Sequence, residues 1–576
     1  MKILTLHCDY ITFQANKKAF KDASELTEDE KKEHTVKECL VILTAVESGD
    51  GQKEFDDMIA AVKKTASDVK TQTLVVYPYA HLSSHLAKPA VALEMLKQAE
   101  SVLKKEYKVT RAPFGYYKTF ELKCKGHPLS ELSKQFGGTA SSSPQVKSAP
   151  TVEKELTSDD IKRLLHEMNA TKLDTSKLKD NDHRILGQRL ELFGFNEVSP
   201  GAVFWHAAGL SIYNKLVELA RRMQDERGYE EIATPQILNT ALWKVSGHWN
   251  HYKDNMFITS YESRDMGVKP MNCPGAMLVY KSKSRSYKDL PLRMSEFGVV
   301  HRQELSGVLA GLFRVIRFTQ DDTHIFCTEE QIESEIRGLL ELIDFYYKKL
   351  FKFDYHLELS TRPEKFLGTK EQWDYAEHAL ESALKKAKAT FKVNKGDGAF
   401  YGPKIDLHIK DSLGRSWQCG TIQLDSQIPA RFDCTYTGSD GKEHTPLVIH
   451  RALFGSMERF IGILLEHTNG NLPLWLSPRQ VRIINFTDRN TKAAQKVHAE
   501  LKKALPLMKI DLDLRTDTVQ AKVRDAELLK INYIVVVGDK EEKSKTLAVR
   551  PRGEKPKFGV KLATFSKELE VENRIV

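Results

Sequence analysis

Between positions 293 and 328 the chain sets Arg302 and Arg314 beside Glu304, Asp321, Asp322 and His324, among short β-branched and aromatic runs. The spacing predicts two strands joined by a glycine-bearing loop, with alternate side chains on one face. A multiply charged strand face is costly to bury without partners. It is therefore expected to line a wet cleft that takes an anionic ligand, with Arg302 and Arg314, set on the strands, holding phosphate or carboxylate oxygens bidentately. Charge pattern alone equally allows a solvated face with cross-strand ion pairs.

Phe297-Gly-Val-Val-His-Arg302-Gln-Glu304, followed by Phe318-Thr-Gln-Asp-Asp-Thr-His324, resembles the second signature motif of class II aminoacyl-tRNA synthetases in the form found in threonyl-tRNA synthetases. The likeness runs from about Asp182 to the C-terminus, and its motifs are specific.

A length of 576 residues exceeds what one core supports, so three or so domains are expected. Lys plus Arg exceed Asp plus Glu by 87 to 78, a mild basic excess that suits a polyanion such as RNA without requiring one. The seven cysteines are scattered and never spaced as CxxC, which predicts a reducing, cytoplasmic setting and no disulfide framework. The first apolar run is broken by His7 and Asp9, and no run reaches the roughly 18 apolar residues of a membrane span, so neither secretion nor membrane insertion is expected.

Residues 2–7, 40–46 and 74–77 read as strands and 86–107 as a helix, an α/β module of its own. The stretches around Tyr117-Lys118 and Cys124-Lys-Gly-His127-Pro-Leu-Ser-Glu131 resemble the N-terminal domain of archaeal-type threonyl-tRNA synthetases, which is similar in fold to D-aminoacyl-tRNA deacylases. That resemblance implies an editing site at His81, Tyr117, Lys118 and Glu131; from the residues alone Lys118 reads as a solvated surface lysine. Residues 137–150 are small, polar and Pro-terminated, the composition of a tether. Residues 151–180 are charged, with helical spacing over 159–168, and read as a connector.

Further on, 209–227 has the spacing of a core-facing helix stopped at Gly228 before a strand ending in Pro235. It resembles the first class II motif, which implies a homodimer. Lys269-Pro-Met-Asn-Cys273-Pro-Gly275 follows, in which a lone cysteine would ordinarily be core filler. By the resemblance, Cys273, His324 and His450 are zinc ligands, one ion per subunit; Ala276 stands where many relatives place a histidine. Residues 398–407 and 419–425 read as strands, and 452–466 as an apolar helix carrying Arg459, the arginine of the third motif. After Pro478 a βαβαβ pattern restarts, resembling the anticodon-binding domain of several class II synthetases, with a basic stretch over 540–561.

The resemblance thus implies a multidomain chain of α/β and α+β class: an editing domain over 1–136, a tether and connector over 137–180, a class II antiparallel-sheet catalytic core over 181–476, and an α/β anticodon-binding domain over 477–576. It implies ligation of threonine to tRNA(Thr) with ATP and Mg2+. Arg302, Glu304, Arg314, Phe318 and Arg459 would bind ATP, Gln320, Asp322, Tyr401 and Gln423 threonine, Lys404 would lie near the phosphates, and His248 would aid the terminal ribose. The rival reading from another class is an RNA-binding regulator built on an inactive synthetase core. A synthetase for a different amino acid is disfavoured by the Cys/His/His set, since a zinc in the pocket suits a substrate offering both amine and hydroxyl.

Overall fold

The computed structural model describes residues 1–20, 23–83, 86–127, 129–136, 157–168, 176, 178–410 and 414–575. The chain forms two compact units, Met1–Ser148 and Ala149–Val576. The tether and much of the connector expected over 137–180 lie outside the described residues.

The first unit is organised by β1 (Lys2–Lys18), a strand long enough to serve several partners. With β2 (His34–Ala45), β3 (Thr73–Pro78), β4 (Lys108–Arg111), β5 (Tyr116–Cys124) and β6 (Glu131–Gln135) it forms a sheet of order β4-β3-β2-β1-β5. The pairs β2/β3 and β3/β4 are parallel because α1 (Gln52–Asp68) and α2 (Pro89–Leu103) supply the crossovers. Alternation along β1 sends Ile3 to the layer under both helices and Leu6 and Cys8 to the opposite apolar face. The outer edge of β1 is shared: β6 pairs with residues 2–6 and β5 with residues 8–18.

In the second unit α3 (Ser158–Glu167) and α4 (His183–Arg189) precede α5 (Ala207–Asp225), whose Ile212, Leu216, Leu219, Ala220 and Met223 are buried as the spacing predicts. An eight-stranded sheet follows. Its strands are β7 (Glu230–Glu231), β8 (Leu292–His301), β9 (Arg317–Cys327), β10 (Tyr355–Ser360), β11 (Phe391–Asn394), β12 (Lys404–Lys410), β13 (Ser416–Asp425) and β14 (Leu447–Ser456), in the order β11-β10-β12-β13-β14-β9-β8-β7. The six central strands are antiparallel; only the short edge strands β7 and β11 pair in parallel. Between β7 and β8, α6 (Cys273–Tyr280) packs Met277 and Tyr280 against Phe326 of β9. α7 (Met457–Thr468) leads directly out of β14.

Three local expectations are corrected. Arg302 and Arg314 are not on strands: β8 ends at His301, and the chain leaves the sheet over 302–316, closed by a hydrogen bond from the Arg302 N–H to the Ile316 carbonyl at 2.9 Å. Residues 398–403 form a turn, with Gly398 N–H bonded to the Thr361 carbonyl, and the strand begins only at Lys404. Residues 452–456 belong to β14, because backbone pairing to β9 and β13 outweighs their helical composition; Ser456 then caps α7 by accepting from the Arg459 N–H at 3.0 Å.

β15 (Val481–Asn485), α8 (Thr491–Ala504), β16 (Ile510–Asp513), α9 (Val519–Leu528) and β17 (Tyr533–Val537) give the parallel pattern predicted for the C-terminal region. The sheet continues through antiparallel β18 (Leu547–Pro551) and β19 (Lys557–Val560), so part of the basic stretch is a hairpin. This sheet shares a compact unit with the eight-stranded one. The segment between them is held from both sides: the Leu472 carbonyl accepts from Asn532 and Arg552, and Lys215 reaches the Trp475 carbonyl. Among the described residues no helix is long and apolar enough to cross a membrane.

One buried ion pair fixes the register behind the cleft. The Lys269 side chain has no exposure; its Nζ lies 3.0 Å from Glu296 Oε1 on β8 and donates to Thr234 Oγ1 at 2.9 Å. Glu296 pairs across the ladder with Asp322 of β9. Lys269→Met would leave Glu296 buried without its cation, and chemical denaturation is expected to show a loss of about 3–5 kcal/mol.

Candidate active site

The antiparallel order of β13, β14, β9 and β8 brings residues distant in sequence to one cleft of about 490 Å3. Arg302, Glu304, Arg314, Phe318, Gln320, Asp322, Tyr401, Gln423 and Arg459 all line it, together with Cys273 and His450. At one end three guanidiniums converge. Arg302 donates from Nε to the Pro270 carbonyl at 3.2 Å and lies over the rings of Phe318 (5.1 Å) and Tyr252 (5.5 Å). Arg314 donates to Glu304 Oε2 at 2.9 Å. Arg459 donates to the carbonyls of Phe313 and Gln418, each at 3.0 Å. Contacts to carbonyls and rings leave the positive charges of Arg302 and Arg459 uncancelled, the electrostatics of a polyanion site.

The other end is polar and shaped. Tyr401 donates its hydroxyl to Gln423 Oε1 at 2.9 Å, and Gln423 donates to the Gly402 carbonyl. Asp322 accepts from Asn272 Nδ2 at 3.0 Å. Asn272 comes that close because position 298 is glycine, where a β-carbon would fall 2.2 Å from its Oδ1. Asn272, Tyr252 and Asp425 were not singled out from sequence; Asn272 directly precedes Cys273 inside a motif that was.

Cys273, His324 and His450 come together as a group able to hold a metal, all three buried, with donor atoms within 4.8 Å of one another. Four observations test the fit. The Nε2 of His324 is buried, with no hydrogen-bond partner among the described residues. Burial pushes the His324 pKa down to about 4, so its imidazole is neutral, the form that ligates. His450 bonds Asp425 Oδ2 through Nε2 at 2.9 Å, the carboxylate-on-histidine arrangement that commonly orients a ligating ring through its other nitrogen. Burial, with the Asp322 and Asp425 carboxylates nearby, holds the Cys273 thiol well above its ordinary range, and a bound divalent cation would supply the opposite charge its thiolate needs. The residues present fit zinc.

Two expected site residues stand apart from the cleft wall. Lys404 gives its Nζ to Asp406 at 2.5 Å and Asp397 at 3.2 Å. His248 is fully buried, with Nε2 3.9 Å from the Cys273 sulfur and its ring against Phe400 and Tyr401.

In the first unit the expected editing set is only partly assembled. Lys118 donates to the carbonyls of Pro113 (2.8 Å) and Tyr116 (3.0 Å), and its Nζ lies 5.1 Å from the Tyr77 ring; burial pushes its pKa down to about 8. Tyr77 touches Tyr79, which touches His81, so Lys118 and His81 sit at the two ends of one aromatic row. Tyr117 is exposed on the opposite face, as its place next to Lys118 in β5 demands. Glu131 does not join them: it pairs with Leu6 while Lys118 pairs with Ala15, nine positions along β1 and about 30 Å away at strand rise.

Residues 1–136 match the family described as the archaea-specific editing domain of threonyl-tRNA synthetase, 256–468 the tRNA synthetase class II core domain (G, H, P, S and T), and 480–572 the anticodon binding domain. A "Threonine--tRNA ligase" from Caldanaerobacter subterraneus subsp. tengcongensis is 53% identical over 374 residues, 65% of this chain and 58% of that protein. Another, from Desulfatibacillum aliphaticivorans, is 52% identical over 387 residues, 67% of this chain and 60% of that protein. The chain thus spans about three fifths of the length of these curated relatives. A crystal structure described as the RNA binding domain of threonyl-tRNA synthetase from Cryptosporidium parvum Iowa II superposes with a TM-score of 0.66 at 44% identity, covering 69% of this chain and 99% of that one.

Proposed function

Since this chain belongs to the threonyl-tRNA synthetase family, we propose that it forms threonyl-adenylate from ATP and threonine and passes the threonyl group to the terminal adenosine of tRNA(Thr). The observation that carries this reading is the double character of one cleft: three arginines at one end, and a buried Cys/His/His group with Asp322 at the other. We propose the division given above, with editing over 1–136, catalysis over 181–476 and anticodon binding over 477–576. A homodimer is proposed as the working form, supported by the exposed Leu210 on α5 and the exposed Ile237 just beyond the following strand.

In the first step a carboxylate oxygen of threonine attacks the α-phosphorus of ATP, and the bond to the β-phosphate oxygen breaks as pyrophosphate leaves. No proton need move, so the protein's task is positioning and charge compensation. Arg302 binds the α-phosphate, while Arg314, released from Glu304, and Arg459 hold the rest of the nucleotide, which brings Mg2+ with it. Phe318 offers an aromatic face. Cys273, His324 and His450 would hold zinc, which when bound offers a positive site for the amine and hydroxyl of threonine together. Asp322 accepts from that hydroxyl, and Gln320, Tyr401 and Gln423 wall the amino-acid end. Lys404 acts near the phosphates only on leaving its carboxylates. His248, buried behind Cys273, is given no step. Pyrophosphate exchange run across the twenty amino acids tests the reading: threonine should lead. Exchange led by another amino acid, or none with any, which an inactive RNA-binding core would give, overturns it.

Serine keeps the amine and hydroxyl and lacks one methyl, a difference worth about 1–3 kcal/mol, or some 10–200-fold. Seryl-tRNA(Thr) would therefore form, and we propose that the first unit hydrolyses it. The row of Lys118, Tyr77, Tyr79 and His81 is the place for this, with water as nucleophile, the tRNA ribose hydroxyl assisting, and the partly desolvated Lys118 ammonium meeting the developing negative charge. Lys118→Met should leave threonine charging intact and slow seryl-tRNA clearance by about 10²-fold. Clearance at the unmodified rate would reduce the unit to a binding appendage.

A further inference from the structure

Outside the cleft, the described residues hold one other group with the composition of a metal site: Asp182, His183 and Glu466. Its donor atoms are already used. Asp182 caps α4 and holds Arg184 at 2.9 Å, Glu466 Oε1 meets His183 Nδ1 at 2.8 Å, and Glu466 Oε2 accepts from Arg415 at 2.7 Å. The remaining ring nitrogen, His183 Nε2, accepts the backbone N–H of Leu312 at 3.0 Å. That acceptance requires the tautomer with hydrogen on Nδ1, which in turn donates to Glu466.

Leu312 lies in the loop that carries Arg314 to the cleft. Everything around it is built to receive the loop from His183. Gly311 has φ +54°, and a β-carbon there would fall 2.3 Å from His183 Nε2. The Phe313 ring lies 4.2 Å from the His183 ring. On α7, Arg459, Gly462 and Glu466 share one face at helical spacing. Arg459 binds the Phe313 carbonyl, Gly462 clears space for the Phe313 ring, and Glu466 holds His183. One imidazole therefore ties α4, α7 and the loop together through three hydrogen-bonded or stacked contacts, while itself remaining 1% exposed and outside the cleft.

We propose that His183 is a positioning residue for the nucleotide: it sets the 311–314 loop so that Arg314 and the Phe313 carbonyl under Arg459 stand ready for ATP. The inference rests on the reading of the cleft as an ATP site. In the full-length protein, His183→Ala should raise the KM for ATP in pyrophosphate exchange by about 10-fold to 10²-fold, the scale of an ångström-sized misplacement of a binding group. The KM for threonine should hold, and kcat should change far less. His183→Gln, whose amide can accept from Leu312 and donate to Glu466, should recover most of the ATP affinity. Gly311→Ala, which presses on the same contact from the loop side, should reproduce the His183→Ala phenotype. A purely structural histidine would instead give a lower melting temperature and fewer active molecules with an unchanged KM for ATP, and that result, or a failure of His183→Gln to rescue, overturns the proposal. If His183→Ala does not fold, the Gln and Gly311 variants decide. Equilibrium ATP binding separates the two readings. A wild-type protein that binds no ATP refutes the cleft assignment, whereas wild-type binding undiminished in the variants refutes the positioning role of His183 alone.

Discussion

Arg302→Ala is expected to abolish adenylate formation, lowering pyrophosphate exchange by about 10³-fold, or about 4 kcal/mol of transition-state stabilisation, while tRNA binding and the melting temperature stay near those of the unmodified protein. The asymmetry follows from where Arg302 sits. It lies one residue beyond the end of β8, donates to a single carbonyl, and rests on two aromatic rings, so its removal breaks no ladder bond. Among the described residues, however, no carboxylate forms an ion pair with its charge. On the proposed reading it is held for ATP, and its value rises as the attacking carboxylate and the α-phosphate crowd negative charge together. Arg314→Ala is the instructive contrast, because Arg314 already pairs with Glu304. Binding ATP means exchanging one anion for another, so its loss should cost less. A variant lacking Arg302 that exchanges at the normal rate would place the phosphate clamp elsewhere.

The cleft was legible in the sequence wherever a local pattern and a chemical need coincided. The charged run around Arg302 allowed a site and a solvated face equally until its resemblance to a signature motif favoured the site, whereas α5 announced itself by its spacing. What could not be read was assembly across the sheet. Cys273, His324 and His450 stand on a helix terminus and on two adjacent strands, and only the β9/β14 register, in which His324 faces His450, makes them neighbours. Asp425 stays invisible for the same reason: it becomes a partner of His450 only through β13. Helical composition misled at 452–456, where apolar residues serve a buried central strand as well as they serve a helix. Among the editing residues, Glu131 was out of reach for a different reason. Resemblance carried four positions over one by one, but β1 is long enough to hold β5 and β6 end to end, so Glu131 and Lys118 lie far apart along one strand despite being 13 positions apart in sequence.

Removing the proposed zinc should have the other large effect, and it should change which amino acid is accepted as well as how fast. Metal analysis of the full-length protein is expected to give one zinc per chain, and Cys273→Ser should lose it. Valine is nearly isosteric with threonine but has no hydroxyl. A site that tests for the hydroxyl with a metal and with Asp322 should reject valine by roughly 10⁴-fold or more, because a buried polar group would be left without its partner. Without the metal, Asp322 remains, yet its Oδ2 already accepts from Asn272, and the buried Nε2 of His324 has no hydrogen-bond partner among the described residues. Threonine activation should therefore fall steeply while ATP binding at the arginine end persists. The threonine-to-valine ratio should shrink with it. Asp425→Asn probes the same centre from behind: it preserves packing around His450 but weakens the acceptor that orients the ring, so zinc affinity should drop by about 10-fold to 10²-fold with threonine activation following it. Less than half an equivalent of zinc in a fully active preparation would sink the assignment. Full zinc occupancy in Cys273→Ser would show that the three residues are not the ligand set.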